Sequence, residues 1–476
     1  MAKKERLIVV GGVAAGMSAA AKARRVNPDM EIIVYEKSGY ISYGACGFPY
    51  YIKGDVADME ALLARTPAQM AEQGVMAHTR HEVQAIDAGR RVAAVYDYAT
   101  GRKRFEPWDK LILAAGASIG RPSIPGINLN GIFSLRTVED ALTIRRWLEE
   151  MQPRHGVIVG GGYIGLEMAE ALAAHGVAVT IVDAADQLMS SLDVEIAALI
   201  QAELEAEGVE IRLGEMVQSF IGERLVTDIT QRVTALVMGQ GGSRGGLDNR
   251  FRVREVVTDK QSYPADVVIF GVGSRPNVAL AQQAGVKLGQ TWAVAVDARQ
   301  RTNVPNIWAA GAVAEAFHLV LGEPIYFPLA QVASKQGRVA AVNAAGGRAS
   351  FAGTVGTAVV KTFDLAVAQT GLSEKAARAK GWTVDCLMIE ATSRAHYMPG
   401  HAPIHLKLVF DKNTQRVLGA QMIGKDGVAQ RINVIAAALQ AEWTIRDLAG
   451  LDLAYAPPFA PVWDPILVAA NVANKE

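Results

Sequence analysis

The chain has 476 residues, half of them hydrophobic and a fifth charged, with no formal net charge and a pI near 7.1. That length fits about three domains, and the balanced charge argues against a nucleic-acid footprint, which needs a basic face. Only two cysteines are present, which excludes a disulfide framework and points to a reducing, cytoplasmic setting; no apolar run is long and charge-free enough to read as a membrane span.

Leu7-Ile8-Val9-Val10 has strand length and ends at Gly11-Gly12. Val13-Ala14-Ala15-Gly16 then opens an alanine-rich helix to about Val26, and a second apolar strand closes on Glu36, twenty residues beyond Gly16. Basic residues ahead of Leu7 give this start the outline of a signal peptide, but the glycine pattern and following strand argue for a folded unit. Strand, glycine turn, helix, strand and acid form the dinucleotide fingerprint: the turn lets a helix N-terminus approach a pyrophosphate, and the acid accepts from a ribose. The frame is imperfect, because Val13 stands where the middle glycine of G-x-G-x-x-G belongs.

Ser42-Tyr43-Gly44-Ala45-Cys46-Gly47-Phe48-Pro49-Tyr50-Tyr51 follows this unit and holds the first cysteine. A thiol is nucleophilic as thiolate, and a helix starting after Cys46 would favour the anion. The alternative is a buried structural cysteine, the reading that suits Cys386 in its apolar strand. Lys110 to Ala114 is a strand running into the small-residue turn Ala115-Gly116-Ala117.

The fingerprint then recurs. Val157-Ile158-Val159 leads into Gly160-Gly161-Gly162-Tyr163-Ile164-Gly165, a helix to about Ala174, and a strand ending in Asp183, eighteen residues beyond Gly165. Two such units mean two dinucleotides. Asp183 suits a free ribose 2′-hydroxyl and repels a 2′-phosphate, and Ala184-Ala185 offers no arginine for one, so NADH is expected over NADPH. Glu167, on the same helix, needs a partner if buried. Val267 to Phe270 exits into Gly271-Val272-Gly273, and Gln240 to Asn249 is a glycine-rich excursion. Thr302 to Val313 is an extended segment, a buried strand and the turn Gly311-Ala312; Leu329-Ala330 opens a helix to about Ala345. From Ser350 strands are expected at Thr354–Thr362, Asp385–Ala391, His405–Asp411 and Val417–Ile423, with a helix over Ala429–Glu442, as in a separate α+β domain.

In this order the segments resemble the flavoprotein pyridine nucleotide–disulfide oxidoreductases. Ser42-x-x-x-Cys46-Gly-Phe-Pro-Tyr resembles the single-cysteine branch: NADH oxidases, NADH peroxidases and coenzyme A–disulfide reductases. The two-cysteine branch is excluded, since Cys386 lies 340 positions away. Val13-Ala14-Ala15 lacks the histidine of peroxidase and oxidase members and is similar to the coenzyme A–disulfide reductases. The fold implied is α/β and glutathione-reductase-like. It has two Rossmann-like domains, for FAD (1–118 and 276–345) and NAD(H) (119–275), and a C-terminal α+β dimerisation domain (350–476).

The resemblance implies FAD against Gly11, Gly12, Val13, Ala14, Ala15, Gly16, Glu36, Lys37, Val83, Ala115, Gly116, Gly311, Ala312, Leu329 and Ala330. It implies NADH against Gly160, Gly162, Tyr163, Ile164, Gly165, Glu167, Asp183, Gly271 and Gly273, with Tyr163 either a gate over the flavin or simple helix-start packing. It also implies a homodimer in which Tyr397 and Tyr455 stand over the partner's Cys46, against the alternative of ordinary domain packing. Lys22 and Arg25 are candidates for coenzyme A phosphates or are solvated helix charges; Ser42 orients a substrate thiol or holds its loop. The resemblance also implies a lysine partner for Glu167, with Lys53 the candidate, and it implies no metal. The expected activity is reduction of coenzyme A disulfide or a related small disulfide through a Cys46 mixed disulfide; persulfide, polysulfide or O₂ reduction is the alternative. Three positions depart from the pattern: Ala312 stands where an Asp normally bonds the flavin ribityl chain, Ala45 where Asn is frequent, and Ser334 where His occurs.

Overall fold

The computed structural model describes residues 4–224 and 251–474; the Gln240–Asn249 excursion lies outside them. Three five-stranded sheets organise the chain. The first is all parallel, in the order Ile307–Ala309, Lys110–Leu113, Arg6–Val10, Glu31–Tyr35, Val75–His78. Leu7, Ile8, Val9, Leu111 and Ile112 are fully buried, as expected of strands covered on both faces. The Ala14–Val26 helix packs on the Ala330–Ala344 helix. This approach needs small residues: a Cβ on Gly337 would lie 2.2 Å from the carbonyl oxygen of Ala15.

The second sheet is also parallel, ordered Glu210–Leu213, Ala178–Asp183, His155–Val159, Val267–Phe270, Ile132–Ser134. It repeats the first unit's strand–helix–strand plan, with its helix at Tyr163–Ala174.

The third sheet is antiparallel, in the order Ala358–Thr362, Leu365–Gly371, Val417–Gly424, Pro403–Asp411, Val384–Thr392. The Val428–Gln440 helix covers it. Two expectations fail here. The first strand begins at Ala358 and not Thr354, because Gly356 turns the chain at φ +71°. Leu365–Gly371, unanticipated from sequence, is an inner strand reached by a tight reversal through Phe363 at φ +46°. Phe48, Leu166, Val360 and Ile423 belong to one buried cluster, so the segment after Cys46 is anchored where all three sheets' regions meet.

Candidate active site

In the first unit the backbone itself demands two of the glycines. Gly11 has φ +101°, and a Cβ on Gly16 would lie 1.8 Å from the Gly11 carbonyl oxygen. Glu36 is buried; its carboxylate accepts the Gly12 N–H at 2.7 Å and the Ser38 N–H at 2.8 Å. The second unit repeats each device. Gly160 has φ +105°, a Cβ on Gly165 would lie 2.1 Å from the Gly160 carbonyl oxygen, and Asp183 accepts the Gly161 N–H at 2.6 Å and the Ala185 N–H at 2.9 Å. Each carboxylate oxygen keeps lone-pair capacity for a ribose hydroxyl. A Cβ on Gly162 would meet nothing within 4 Å, which explains why Val13 is tolerated at the matching position: the middle glycine answers to the ligand and not to the fold.

Neither Val13 nor Gly162 caps its helix with a side chain, and Leu329 leaves the Ala330–Ala344 helix uncapped as well. Thr66, Thr137, Ser373, Thr444 and Asp464 accept from their helices, while the helices starting at Phe48, Val194, Ala279 and Val428 also lack a side-chain cap, so it is the glycine turn ahead of the helix that sets these sites apart. Free N–H groups behind glycine turns suit a pyrophosphate, so the residues present fit a dinucleotide in each unit. Gly311, at φ +80°, lies against Ala15, and its N–H donates to buried Gln336 at 2.8 Å. The Ala312 carbonyl accepts from the Tyr326 hydroxyl at 3.2 Å. Asn277 closes the Ala115–Gly116 turn, donating its side-chain N–H to Ala115 at 2.8 Å and its backbone N–H to Gly116 at 3.0 Å. The Gly271 N–H donates to Val159, and Gly273 has φ +80°. Ile164 packs on the main core cluster. Val83 is buried in the cluster containing Val10, Ile33 and Tyr35, and Lys37 is exposed and paired with Glu82 at 2.7 Å.

Cys46 sits in a short turn, Ala45–Gly47, just before the six-residue helix Phe48–Lys53. Its loop is tied to the first glycine turn: the Ser42 N–H donates to the Gly12 carbonyl at 2.8 Å, with Ser42 held at φ +53°. The backbone therefore holds this loop, and the Ser42 hydroxyl has no partner among the described residues. Cys46 is exposed, in contrast to a structural core cysteine.

The expected lowering of its pKa is not what its surroundings produce. Crowding by protein around the cleft pushes the thiol up, the Glu167 carboxylate pushes further, and only Arg136 and the local backbone oppose them. The thiol borders solvent while its wider shell is largely protein, so exposure and a raised pKa coexist. The helix after Cys46 is too short to reverse this. Arg136, missed from sequence, donates to the Ala117 carbonyl at 3.0 Å and lies beside Gly116. Its signal was a cation next to the Thr137-x-x-Asp140 capping box.

Lys53 does not pair with Glu167. It reaches Glu170 at 2.9 Å and Asp55 at 2.9 Å, and Glu170 also accepts from Lys361 at 2.8 Å and from the Phe363 N–H at 2.9 Å. Glu167 is left with the Tyr50 hydroxyl, a long contact at 3.5 Å. Burial drives its pKa up to about 7, against that hydrogen bond and helped by Glu170. Tyr163 is pushed up to about 12 by burial, eased by bonds to Gln369 and Ser191; Gln369 Nε2 donates to its hydroxyl at 2.9 Å.

Tyr397 and Tyr455 are exposed, at 62% and 47%, and the neighbouring Tyr397 pushes the Tyr455 hydroxyl up. Phe459, Val462 and Trp463 are exposed in the same C-terminal stretch as Tyr455. Lys22 is half-buried with no ion pair among the described residues, and exposed Arg25 turns its Nε to the Ala21 carbonyl at 3.0 Å. Ser334 is half-buried in the Ala330–Ala344 helix. Cys386 is half-buried, its thiol pushed up to about 11 by burial and by Glu374. Among the described residues no cluster of three or more His, Cys, Asp or Glu is placed to hold a metal, and no helix is long and apolar enough to cross a membrane.

Known proteins match this chain throughout. The pyridine nucleotide-disulphide oxidoreductase profile matches residues 5–337, and that family's dimerisation domain matches residues 357–465. The chain is similar to the NAD(P)H coenzyme A polysulfide/persulfide reductase of Pyrococcus horikoshii, 38% identical over 98% of both chains. It is similar to the coenzyme A disulfide reductase of Staphylococcus haemolyticus, 32% identical over 96% of both. Its fold superposes on the NAD-dependent persulfide reductase from A. fulgidus with a TM-score of 0.90 at 36% identity, covering 99% of this chain and 83% of that one. The chain belongs to the flavin-dependent pyridine nucleotide–disulfide oxidoreductase family, whose members use FAD and NAD(P)H.

Proposed function

We propose that this protein is an NADH-dependent reductase of small disulfides or persulfides, coenzyme A disulfide foremost, with Cys46 as its sulfur nucleophile. One observation carries the reading: an exposed thiol is tied through Ser42 to the first glycine turn, while Cys386 is half-buried in a strand of the third sheet, its thiol pushed up by burial and by Glu374. With no second thiol at the site, the other sulfur comes from the substrate. The Cys46 thiolate attacks one sulfur of R–S–S–R′, forming Cys46–S–S–R and releasing R′–S⁻. Two electrons and a proton then return Cys46 as thiolate and release R–SH. Bound FAD supplies the two-electron exchange between NADH and this disulfide.

The chain's own residues set the remaining features. Asp183, fixed by the Gly161 and Ala185 N–H groups, favours NADH over NADPH. Tyr163 is the gate of the nicotinamide site. Lys22 and Arg25 take the phosphates of a coenzyme A-type substrate, and the free Ser42 hydroxyl orients its sulfur. The exposed Tyr397–Tyr455 pair completes the site of a partner subunit in a cytoplasmic homodimer. Ala45 favours a second reading, a persulfide or polysulfide acceptor, in line with the names of the Pyrococcus and A. fulgidus relatives.

The test is direct. The purified protein is expected to be yellow, to be bleached by NADH and to regain its colour with release of thiol on adding coenzyme A disulfide; Cys46→Ser is expected to keep the bleaching and lose the thiol release. Full disulfide turnover by Cys46→Ser rules the mechanism out. Sulfide release from polysulfide outpacing thiol release establishes the second reading.

A further inference from the structure

The third sheet presents one polar row to the nicotinamide unit. Gln369 pairs in register with Gln421 on the neighbouring strand, and Gln421 with Lys407 on the next. Cross-strand partners share a face, and each of these three side chains reaches out of the sheet. Gln369 Nε2 donates to the Tyr163 hydroxyl at 2.9 Å. Gln421 Nε2 donates to the Asp193 carboxylate at 2.7 Å, while its Oε1 accepts the Asp193 N–H at 2.8 Å. Lys407 meets Asp193 at 3.4 Å and Glu195 at 3.0 Å. Gln421 and Lys407 are almost wholly buried, and a buried polar network that is fully satisfied fixes one arrangement of the parts it joins. The Asp193 carboxylate and backbone are held by Gln421 while Gln369, on the adjacent strand of the same row, holds the Tyr163 hydroxyl, so the third sheet ties the start of the Tyr163–Ala174 helix and the Asp193 segment to one surface.

We propose that Gln369 is a positioning residue for the nicotinamide site: the latch that holds the Tyr163 gate closed from the third domain. This rests on the reading of Tyr163 as the gate. A bond made only in the closed position opposes nicotinamide entry, so its loss tightens binding by the worth of one neutral hydrogen bond, about fivefold. The bond ends on a tyrosine oxygen, and Gln369→Glu, which accepts from the same hydroxyl, keeps the latch.

The experiment uses FAD-loaded holoenzyme. NAD⁺ affinity is read by calorimetry, and stopped-flow bleaching by NADH separates apparent Kd from limiting rate. Gln369→Leu and Tyr163→Phe, which cut the same bond from opposite ends, each lower Kd about fivefold, and in Gln369→Leu the limiting rate stays within twofold of wild type. The double variant matches either single one, and Gln369→Glu returns the wild-type value. Unchanged or weaker binding in Gln369→Leu, or additive effects in the double variant, overturns the latch. Tyr163→Ala separates the two readings: wild-type affinity and rate there overturn the gate itself, whereas an altered Tyr163→Ala beside an unaffected Gln369→Leu overturns the latch alone.

Discussion

Glu167→Gln is the perturbation that reports most directly on the thiol. Glu167 is partly buried, has no ion pair among the described residues, and is pushed up to about 7 by burial first and by the neighbouring Glu170. Moving a carboxyl from its ordinary range to about 7 corresponds to about 3 kcal/mol, which partial exposure reduces to about 1–3 kcal/mol. The native state holds this proton more tightly than the unfolded chain. Its stabilising effect is therefore complete below the ordinary carboxyl pKa, fades as pH rises, and is gone above about 7. Glutamine keeps the shape and never ionises. Relative to wild type, Glu167→Gln should unfold at the same temperature near pH 4.5 and several degrees higher at pH 8.5. A second assay follows from the same charge. Glu167 pushes the Cys46 thiol up, so in a Cys386→Ser background the pH profile for alkylation of Cys46 by iodoacetamide should move to lower pH when the charge is removed. A melting difference that is flat across pH, together with superimposable alkylation profiles, refutes the coupling of Glu167 to Cys46.

Three further outcomes are expected. Ala312→Asp adds a carboxylate where family members bond the flavin ribityl chain; a charge-assisted hydrogen bond worth about 1.5–3 kcal/mol should raise FAD affinity at least tenfold, read as flavin retained on gel filtration and as Kd for the apoprotein. Asp183→Ala combined with Ala184→Arg removes the carboxylate held by the Gly161 and Ala185 N–H groups and supplies a cation for a 2′-phosphate; the ratio of kcat/KM for NADH over NADPH should fall at least tenfold. Lys407→Met leaves three carboxylates, Asp193, Glu195 and Glu374, without their shared cation. Because Asp193 alone among them is deeply buried and keeps its Gln421 bond, the cost should sit near the low end for a broken buried pair, about 3 kcal/mol, seen as a lowered melting temperature at pH 7.5.

The parallel sheets were legible because their strands are continuous apolar runs ending at glycines, the pattern left by burial on both faces. Leu365–Gly371 was not. It mixes alanine with polar residues and is separated from its neighbour by only Phe363 and Asp364; Phe363 at φ +46° makes the reversal without a glycine to announce it. That miss hid Gln369. The thiol was legible as a residue but not in its electrostatics, since its surroundings depend on Arg136 and Glu167, both distant in sequence. Neighbouring letters suggested a helix N-terminus; the folded chain supplies crowding and a carboxylate.

The helix Tyr163–Ala174 carries more of the design than its glycine turn suggests. Tyr163, Glu167 and Glu170 stand at i, i+4 and i+7, one face of a helix, in a segment whose other side chains are almost all apolar. The Phe48–Lys53 helix offers Tyr50 and Lys53 at i and i+3, and the two helices pack together. The spacings match in pairs: Tyr50 meets Glu167, and one turn on Lys53 meets Glu170. Assigning Lys53 to Glu167 from sequence was therefore wrong by one helical turn. Lys361 and Gln369 close the same face from the third sheet, at Glu170 and Tyr163. A single helix face thus joins the nucleophile's helix, the nicotinamide turn and the third domain. Its middle residue, Glu167, has no ion pair among the described residues, so its carboxylate pushes the Cys46 thiol up with no paired cation to offset it.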